Sequence, residues 1–111
     1  MKQNAPEKGD FISVSFDPQS GHEQRGRRPA LVVSNTLFNE RTGLAIVCSI
    51  TNTDHGYPFH VAITDNPGVR GFVMVEQVKS IDFRARKAKV IGKASDDVLD
   101  QVLSILDACI Y

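Results

Sequence analysis

A polar loop that runs directly into a hydrophobic segment carries the residues best suited to chemistry. Residues 21–29 read GHEQRGRRP and lead without a spacer into ALVVS at residues 30–34. Pro29 pushes Arg28 out of the α region into an extended conformation, and proline is tolerated at the first residue of a strand. Arg28 is therefore predicted at a loop-to-strand junction, where its planar, permanently charged guanidinium can bind two oxygens of a phosphate.

Together with Arg28, the loop residues His22 and Glu23 and the second-loop residue Thr51 are of the types needed to cleave a phosphodiester bond in RNA. RNA supplies its own nucleophile, the 2′-hydroxyl, so the protein needs a base, an acid and a cation but no metal. Glu23 or His22 can act as the base with the other assisting, and Arg28 can stabilise charge on the phosphoryl oxygens. Thr51, at the start of the second loop, can hydrogen-bond a phosphate oxygen.

Other side chains near these positions are predicted to contact RNA. Tyr57 and Phe59 offer ring faces on which unpaired bases can stack, and Pro58 stiffens the segment between them. The remaining predicted contacts are the polar and basic side chains Arg25, Arg27, His55, Gln77, Lys79 and Arg86.

Each candidate also has a structural interpretation that the residues alone leave open. Arg28 can pair with Glu23 or Asp17 on the surface, and Thr51 can simply end a strand. Phe59 can be a core residue, and Gln77 can be a strand residue that faces solvent. Spacing alone predicts a small β-barrel with an anion site.

The sequence gives no pattern for metal or acyl-transfer chemistry. His22, His55 and His60 lack ligand-type spacing with one another or with the cysteines, and no acidic cluster resembles a magnesium site. No metal or other cofactor is therefore expected. There is no nucleophile elbow. Cys48 and Cys109 have no partner spacing and are predicted to be free thiols.

The elements that position these residues predict a mainly β (α+β) fold in a single domain over residues 1–111. Short strands with turn signals at close intervals indicate a small barrel or curled sheet. Ser95 is a good N-cap, and apolar residues then recur at three- and four-residue steps, which predicts a C-terminal amphipathic helix. Strands are predicted at residues 11–16, 30–33, 44–50, 60–64, 71–75 with extended alternation to 83, and 87–93, with a short helical turn at 35–41.

The composition fits a globular protein whose charges are unevenly placed. The 111 residues carry a formal net charge of zero, with 41% hydrophobic residues and no signal-like or membrane-length segment, so a cytoplasmic protein without a membrane partner is expected. The charged residues after Lys93 are all acidic, namely Asp96, Asp97, Asp100 and Asp107. Such segregation can steer a polyanion. The basic residues of the preceding segment are Arg70, Lys79, Arg84, Arg86, Lys87, Lys89 and Lys93.

These residues resemble the MazF/PemK toxin family of bacterial toxin–antitoxin modules. The motifs keep the order and spacing of the family over nearly the whole chain. They are KGD at residues 8–10, FDP at 16–18, GHEQ at 21–24, GRRPALVVS at 26–34, IT at 50–51, GYPF at 56–59, EQVKSI at 76–81 and RAR at 84–86.

The resemblance implies a fold, an activity and partners. The fold is an SH3-like barrel of the PemK/CcdB type, in a homodimer with a groove across its interface. The activity is metal-independent, sequence-specific cleavage of single-stranded mRNA to 2′,3′-cyclic phosphate and 5′-hydroxyl ends, which inhibits translation and growth. The partner is a cognate antitoxin whose acidic, disordered C-terminal tail fills the groove. The toxin would associate with DNA only indirectly, through that antitoxin.

The resemblance also assigns roles to four residues. Arg28 matches the arginine that family members need for cleavage, and Thr51 matches the threonine beside it. Glu23 matches an acidic position of the same loop. His22 matches a histidine that some branches use as a general base or phosphate contact. Catalysis is therefore assigned to Arg28 and Thr51, with the other two as helpers.

The resemblance has one departure in sequence and leaves one alternative function. Met74 and Glu76 stand where the PemK branch has an arginine and an aspartate, so an acid is kept and the arginine is lost. The alternative function is that of a CcdB-like protein, a non-enzymatic gyrase poison of the same fold that acts through a tryptophan-bearing C-terminal tail. This chain has no tryptophan and ends in Cys-Ile-Tyr.

Overall fold

The computed structural model describes residues 5–15 and 26–111, which form a curled, half-barrel sheet with a helix at the C-terminus. The sheet has the order β4-β5-β3-β2-β1-β6, and every neighbouring pair is antiparallel. The predicted mainly β fold with a C-terminal helix is confirmed. The elements are β1 (Asp10–Ser15), β2 (Arg27–Val32), α1 (Thr36–Thr42), β3 (Leu44–Thr51), β4 (His60–Ile63), β5 (Gly71–Asp82), β6 (Lys89–Lys93) and α2 (Asp96–Ile110).

Alternating side chains build a hydrophobic core on each face of the sheet, because successive residues of a strand point to opposite faces. The helix-side core is covered by α2 and consists of Phe11, Leu31, Val33, Cys48, Ile50, Val61, Val69, Val73, Val75, Ala94, Val98 and Val102. The second core consists of Ala5, Ile12, Val14, Ala30, Val32, Ala45, Val47, Ile81 and Phe83.

The helices begin and end where their capping residues require. The side chain of Ser95 accepts a hydrogen bond from the Val98 N–H, and Asn35 does the same for Phe38 at the start of α1. Gly43 ends α1 in the left-handed conformation, which costs glycine little. Neither helix of the described residues is long and apolar enough to cross a membrane.

Strand β2 begins earlier than its hydrophobic run predicts. It starts at Arg27, because the pairing with β1 continues as far as Ser15 opposite Arg27. Pro29 is accommodated inside the strand, since β3 pairs with β2 only from Ala30 onward and the proline has a strand neighbour on one side. Arg28 is the second residue of β2 and so lies at the loop-to-strand junction, but the strand starts three residues before the predicted residue 30.

Strand β5 is bent where it changes partners. Val78 pairs with Cys48 and Val73 pairs with Ile50, so residues 74–77 lie opposite residue 49 alone. Such extra residues bend a strand and increase its twist. The first part of β5 then also pairs with β4, with His60 opposite Met74. This bend places the segment around Glu76 next to β4.

Both cysteines are free thiols, as predicted, in different surroundings. Cys109 is exposed and Cys48 is buried. Burial, followed by the nearby Glu76 carboxylate, raises the pKa of the Cys48 thiol to about 12. Cys48 therefore stays protonated and serves as a small core residue.

Candidate active site

Arg28 and Thr51 lie on adjacent strands and on the same face of the sheet. β2 and β3 pair with Ala30 opposite Ser49, and this register, extended by two residues, aligns Arg28 with Thr51. Arg28 continues the row of β2 residues that line the second core, and Thr51 continues the corresponding row of β3. The guanidinium of Arg28 and the hydroxyl of Thr51 therefore lie at the edge of the second core, on the same face of the sheet.

Two further cations lie close to Arg28. Lys79 pairs with Val47 and so points to the face of the second core. Its pKa is lowered by burial and then by the charges of Arg86 and Arg28, which places all three charges within interaction range. Arg86 Nη1 donates a hydrogen bond to the Ser15 carbonyl at 3.3 Å, which holds this side chain in place. Arg28, Lys79 and Arg86 form what we call the cation cluster, which is suited to bind a polyanion.

The hydroxyl of Thr51 is held by its own loop. Thr51 Oγ1 accepts a hydrogen bond from the backbone N–H of Thr53 at 3.2 Å. A hydroxyl has one donor and two acceptor positions, so its proton is left to donate. Thr51 can therefore donate to a phosphate oxygen held by Arg28 without giving up the contact that fixes its position.

The second loop presents exposed rings. The rings of His55 and Tyr57 stack with centroids 5.4 Å apart and planes 24° apart. Tyr57 is 55% exposed and Phe59 is 46% exposed. The alternative that Phe59 is a core residue is therefore wrong. These ring faces are open to partners that stack, as unpaired bases do.

A pair of a buried histidine side chain and an exposed glutamate lies beneath these rings, and it was not predicted from the sequence. His60 Nε2 is 2.9 Å from Glu76 Oε2, and the His60 side chain is 3% exposed. An ionised carboxylate only accepts hydrogen bonds, so Nε2 is the donor. The His60 ring meets Tyr57 and His55 edge-on, at 5.1 and 5.7 Å, and its Nδ1 is buried without a partner among the described residues.

The pKa of Glu76 reflects this contact. Burial raises the pKa, but hydrogen bonds from His60, the backbone and Gln77, together with the His60 charge, lower it below the usual range. Sixteen residues separate His60 from Glu76 in the sequence. Only the pairing of β4 with β5 brings them together, so no local motif could have revealed the pair.

Arg27 serves the scaffold rather than the face that carries Arg28. Its Nε donates to Ser13 Oγ at 3.0 Å, and its Nη2 donates to the carbonyls of Ser13 at 2.7 Å and Lys87 at 2.8 Å. These bonds tie the start of β2 to β1 and to the turn between β5 and β6. The structure therefore separates Arg27 from Arg28, although the sequence grouped both as RNA contacts.

Two other cations of the basic segment, Lys93 and Arg84, make contacts of their own. Lys93 pairs with Glu7 at 3.4 Å and with Asp10 at 3.3 Å. Burial lowers the pKa of Lys93, but the charges and hydrogen bonds of the two carboxylates raise it above the usual range. Arg84 lies over the Phe83 ring, 5.0 Å from its centroid.

The predicted site residues thus divide into groups. The cation cluster and Thr51 share one face, and the second loop carries His55, Tyr57 and Phe59. Gln77 is exposed on β5 next to Glu76. The predicted residues His22, Glu23 and Arg25 lie outside the described residues.

Comparisons with known proteins point to one family. Residues 7–110 match the profile of the family described as PemK-like, MazF-like toxin of type II toxin-antitoxin system. The endoribonuclease toxin ChpB of Escherichia coli (strain K12) is 41% identical over 118 residues, covering 99% of this chain and 98% of that protein. The endoribonuclease toxin MazF of the same strain is 37% identical over 110 residues, with the same two coverages of 99% and 98%.

Solved structures agree with this match. The crystal structure of MazF (Form I) from Deinococcus radiodurans has a TM-score of 0.85 and 40% identity, covering 97% of this chain and 98% of that chain. The crystal structure of MazE–MazF (Form III) from the same organism has a TM-score of 0.86 and 38% identity, covering 96% of each chain.

Proposed function

Because the chain belongs to the family of PemK-like, MazF-like toxins of type II toxin–antitoxin systems, we propose that it is an endoribonuclease toxin that cleaves single-stranded mRNA and so inhibits translation and growth. The observation that carries the proposal is the alignment of Arg28 with Thr51 on the face that also holds Lys79 and Arg86. This arrangement is found in a chain that is 41% identical over its length to an endoribonuclease toxin.

The proposed reaction is an attack of the RNA on its own phosphodiester linkage. The 2′-oxygen forms a bond to the adjacent phosphorus and gives its proton to a base of the protein, Glu23 or His22. The bond from phosphorus to the 5′-oxygen breaks, and that oxygen takes up a proton from an acid of the protein. The products are a 2′,3′-cyclic phosphate and a 5′-hydroxyl, with no metal in any step.

The described residues would stabilise the negative charge that builds on the phosphoryl oxygens during this reaction. Arg28 bonds these oxygens through its planar fork, and the Thr51 hydroxyl donates to one of them. Lys79 and Arg86 raise the local positive potential and hold the neighbouring RNA backbone. The rings of His55, Tyr57 and Phe59 hold unpaired bases by stacking.

The proposed partners follow from the same surface. An acidic antitoxin tail would bind the cation cluster in competition with RNA, so a separate inhibitory site is not needed. Relatives have been crystallised as MazE–MazF assemblies, which supports an antitoxin partner. We also propose a homodimer of single-domain subunits acting in the cytoplasm. No described feature favours the gyrase-poison alternative.

Cleavage assays with excess EDTA test the proposed function. We expect the native protein to cut single-stranded RNA to 2′,3′-cyclic phosphate ends under these conditions. The Arg28→Ala variant should lose about 100-fold or more of the cleavage rate, since preorganised charge contacts are worth this much. Arg41→Ala, which removes an exposed arginine in the last turn of α1, is the matched control. Native-like cleavage by Arg28→Ala would refute the site assignment.

A further inference from the structure

We propose that His60 positions the stacked rings of His55 and Tyr57 so that they hold an unpaired base of the RNA. This inference rests on the proposed function and adds a positioning residue to it. The two stacked rings, with centroids 5.4 Å apart, are called the ring platform below. The His60 ring meets both edge-on, with its centroid 5.1 Å from that of Tyr57 and 5.7 Å from that of His55. His60 is therefore the support on which the ring platform rests.

The ring platform lies on the face of the sheet that carries Arg28 and Thr51. Val61 belongs to the helix-side core, so the side chain of its neighbour His60 points to the other face. In the register of the sheet, His60 lies two strands away from Thr51 and two residues further along β5. With about 4.8 Å between neighbouring strands and about 3.4 Å per residue, their Cα atoms are about 12 Å apart. A single strand advances about 3.4 Å per nucleotide even when its bases are stacked, so a base within about four nucleotides of the cleaved linkage reaches the ring platform.

Glu76 fixes the orientation of the His60 ring. His60 Nε2 donates to Glu76 Oε2 at 2.9 Å, and the His60 side chain is 3% exposed. The backbone ties the loop at the same place, because the His60 N–H donates to the Tyr57 carbonyl at 3.1 Å and the Val75 N–H donates to the Phe59 carbonyl at 3.2 Å. Rings that are ordered before binding lose little conformational entropy when a base arrives.

The residue type at position 60 favours a positioning role over a purely stabilising one. His60 Nδ1 is buried and has no hydrogen-bond partner among the described residues. A buried polar atom without a partner costs stability, and an apolar side chain of similar shape would avoid that cost. Phenylalanine, however, could not donate to Glu76, so no hydrogen bond would fix the plane of its ring. The histidine is less favourable for stability than an apolar ring, but its orientation is defined.

The ring platform is suited to a base and not to a phosphate. Tyr57 is 55% exposed, and His55 is exposed as well. Their planes are 24° apart, so a flat base can continue the stack. Stacking accepts any base, but it needs ring and base to lie nearly parallel. We therefore expect His60 to affect the base-dependent part of RNA binding, while the phosphate-dependent part belongs to the cation cluster.

Binding measurements with an uncleavable RNA test the proposal. The probe is an oligonucleotide that the native protein cuts, with 2′-deoxyribose at the cleavage site, and its bases are removed one at a time. At one position the loss of the base should weaken binding to the native protein about tenfold, as expected for one stacking contact. His60→Ala should bind the intact probe about tenfold more weakly and lose nothing more when that base is removed. Its slope of log Kd against log salt should stay native, because no phosphate contact is lost.

Two companion variants make this result specific. His60→Phe keeps a ring in the buried position, so it serves if His60→Ala does not fold. It lacks the donor to Glu76, and we expect the same loss of about tenfold with the intact probe. Arg41→Ala changes an exposed residue of α1 and should bind every probe as the native protein does.

The fluorescence of Tyr57 gives a second measurement that a loss of stability alone would not change. The chain has two tyrosines and no tryptophan, so the Tyr111→Phe variant leaves Tyr57 as its only tyrosine. A base stacked on the Tyr57 ring quenches this emission. At saturating RNA we expect strong quenching in Tyr111→Phe and weaker quenching when His60→Ala is added, because the ring no longer lies parallel to the base.

Three results would overturn the proposal. The first is native affinity for the intact probe in either His60 variant. The second is additive losses from His60→Ala and base removal at every position, and the third is equal quenching of Tyr57 with and without His60→Ala. A failure of the proposed function looks different, because undiminished cleavage by Arg28→Ala refutes the active site, whereas the His60 comparisons measure binding and emission alone.

Discussion

Arg27 and Arg28 are neighbours in the sequence but do different work. Strand alternation sends their side chains to opposite faces of the sheet. The Arg27 side chain donates three hydrogen bonds, two to Ser13 and one to Lys87. Arg28 makes none with the described residues and lies in range of the Lys79 charge. One arginine therefore holds the strand in place, and the other is left for the substrate.

The contacts of Arg27 predict a loss of stability in the Arg27→Lys variant. A lysine keeps the charge but cannot reach Ser13 and Lys87 with two separate nitrogens. Hydrogen bonds from charged donors contribute about 1.5–3 kcal/mol each, so we expect the free energy of unfolding to fall by about 1–3 kcal/mol. Urea denaturation measures this change. Arg70→Ala is the control, and an equal effect of the two substitutions would show that the Arg27 contacts stabilise nothing.

The His60–Glu76 pair predicts a pH-dependent contribution to stability. The pKa of Glu76 is lowered in the folded chain. A carboxyl group of this kind stabilises the fold above its unfolded pKa, and the contribution is lost as the pH falls through the folded pKa. We expect Glu76→Gln to be less stable than the native chain at pH 7, with the difference shrinking as the pH falls below the ordinary glutamate pKa of about 4.3 and disappearing below the lowered pKa of Glu76. Urea unfolding of both chains at a series of pH values measures this difference in the free energy of unfolding. A difference that did not change with pH would contradict the stabilising role of the pair.

The elements were largely predictable, because their signals are local. Alternation marked the strands, and Ser95 marked the start of α2, which the structure confirms. The contacts that build the site depend on register instead. The alignment of Arg28 with Thr51 follows from the pairing of β2 with β3. His60 meets Glu76 because β4 pairs with a bent β5. No local pattern encodes either register.

The close approach of β5 to β3 gives a prediction at the level of these strands. Gly71 has a φ of +121°, and a Cβ there would overlap the carbonyl oxygen of Thr51. Backbone cannot move aside as a flexible side chain can, so we expect Gly71→Ala to displace Thr51. Strained conformations of this kind cost about 1–3 kcal/mol. Urea denaturation and the cleavage assay should show losses of both stability and activity.

Gly56 provides the control for the Gly71 substitution. It also has a positive φ, of +68°, but a Cβ there meets no atom within 4 Å. Gly56→Ala therefore carries the cost of the backbone conformation without the overlap. Equal losses of stability in the two variants would show that β5 has room to move away from Thr51.

At the scale of the whole molecule, a net charge of zero conceals two separated charge groups. The acidic residues of α2 are exposed on the helix that covers the helix-side core. The cation cluster lies on the opposite face of the sheet, beside the second core. The cation cluster therefore faces away from the acidic helix, and we expect RNA to be steered towards the face of Arg28.

This separation predicts which charges set the salt dependence of RNA binding. Each phosphate neutralised by a cation releases counterions, which adds about 0.7 to the slope of log Kd against log salt for a single strand. Lys79→Ala should therefore lower the slope by about 0.7, measured with an RNA that cannot be cut because it carries 2′-deoxyribose at the cleavage site. Burial, and then the charges of Arg86 and Arg28, lower the pKa of Lys79, and we expect bound RNA phosphates to offset the repulsion from those two charges.

Asp100→Asn tests the other side of the molecule. It raises the net charge by one, yet Asp100 is exposed on α2, on the opposite side of the sheet from the cation cluster. If contacts with phosphates set the slope, this variant keeps the native slope while Lys79→Ala does not. If net charge sets it, both variants shift the slope, in opposite directions. Titrations of both variants at several salt concentrations distinguish the two cases, because removing a cation removes a counterion-releasing contact and removing a distant carboxylate does not.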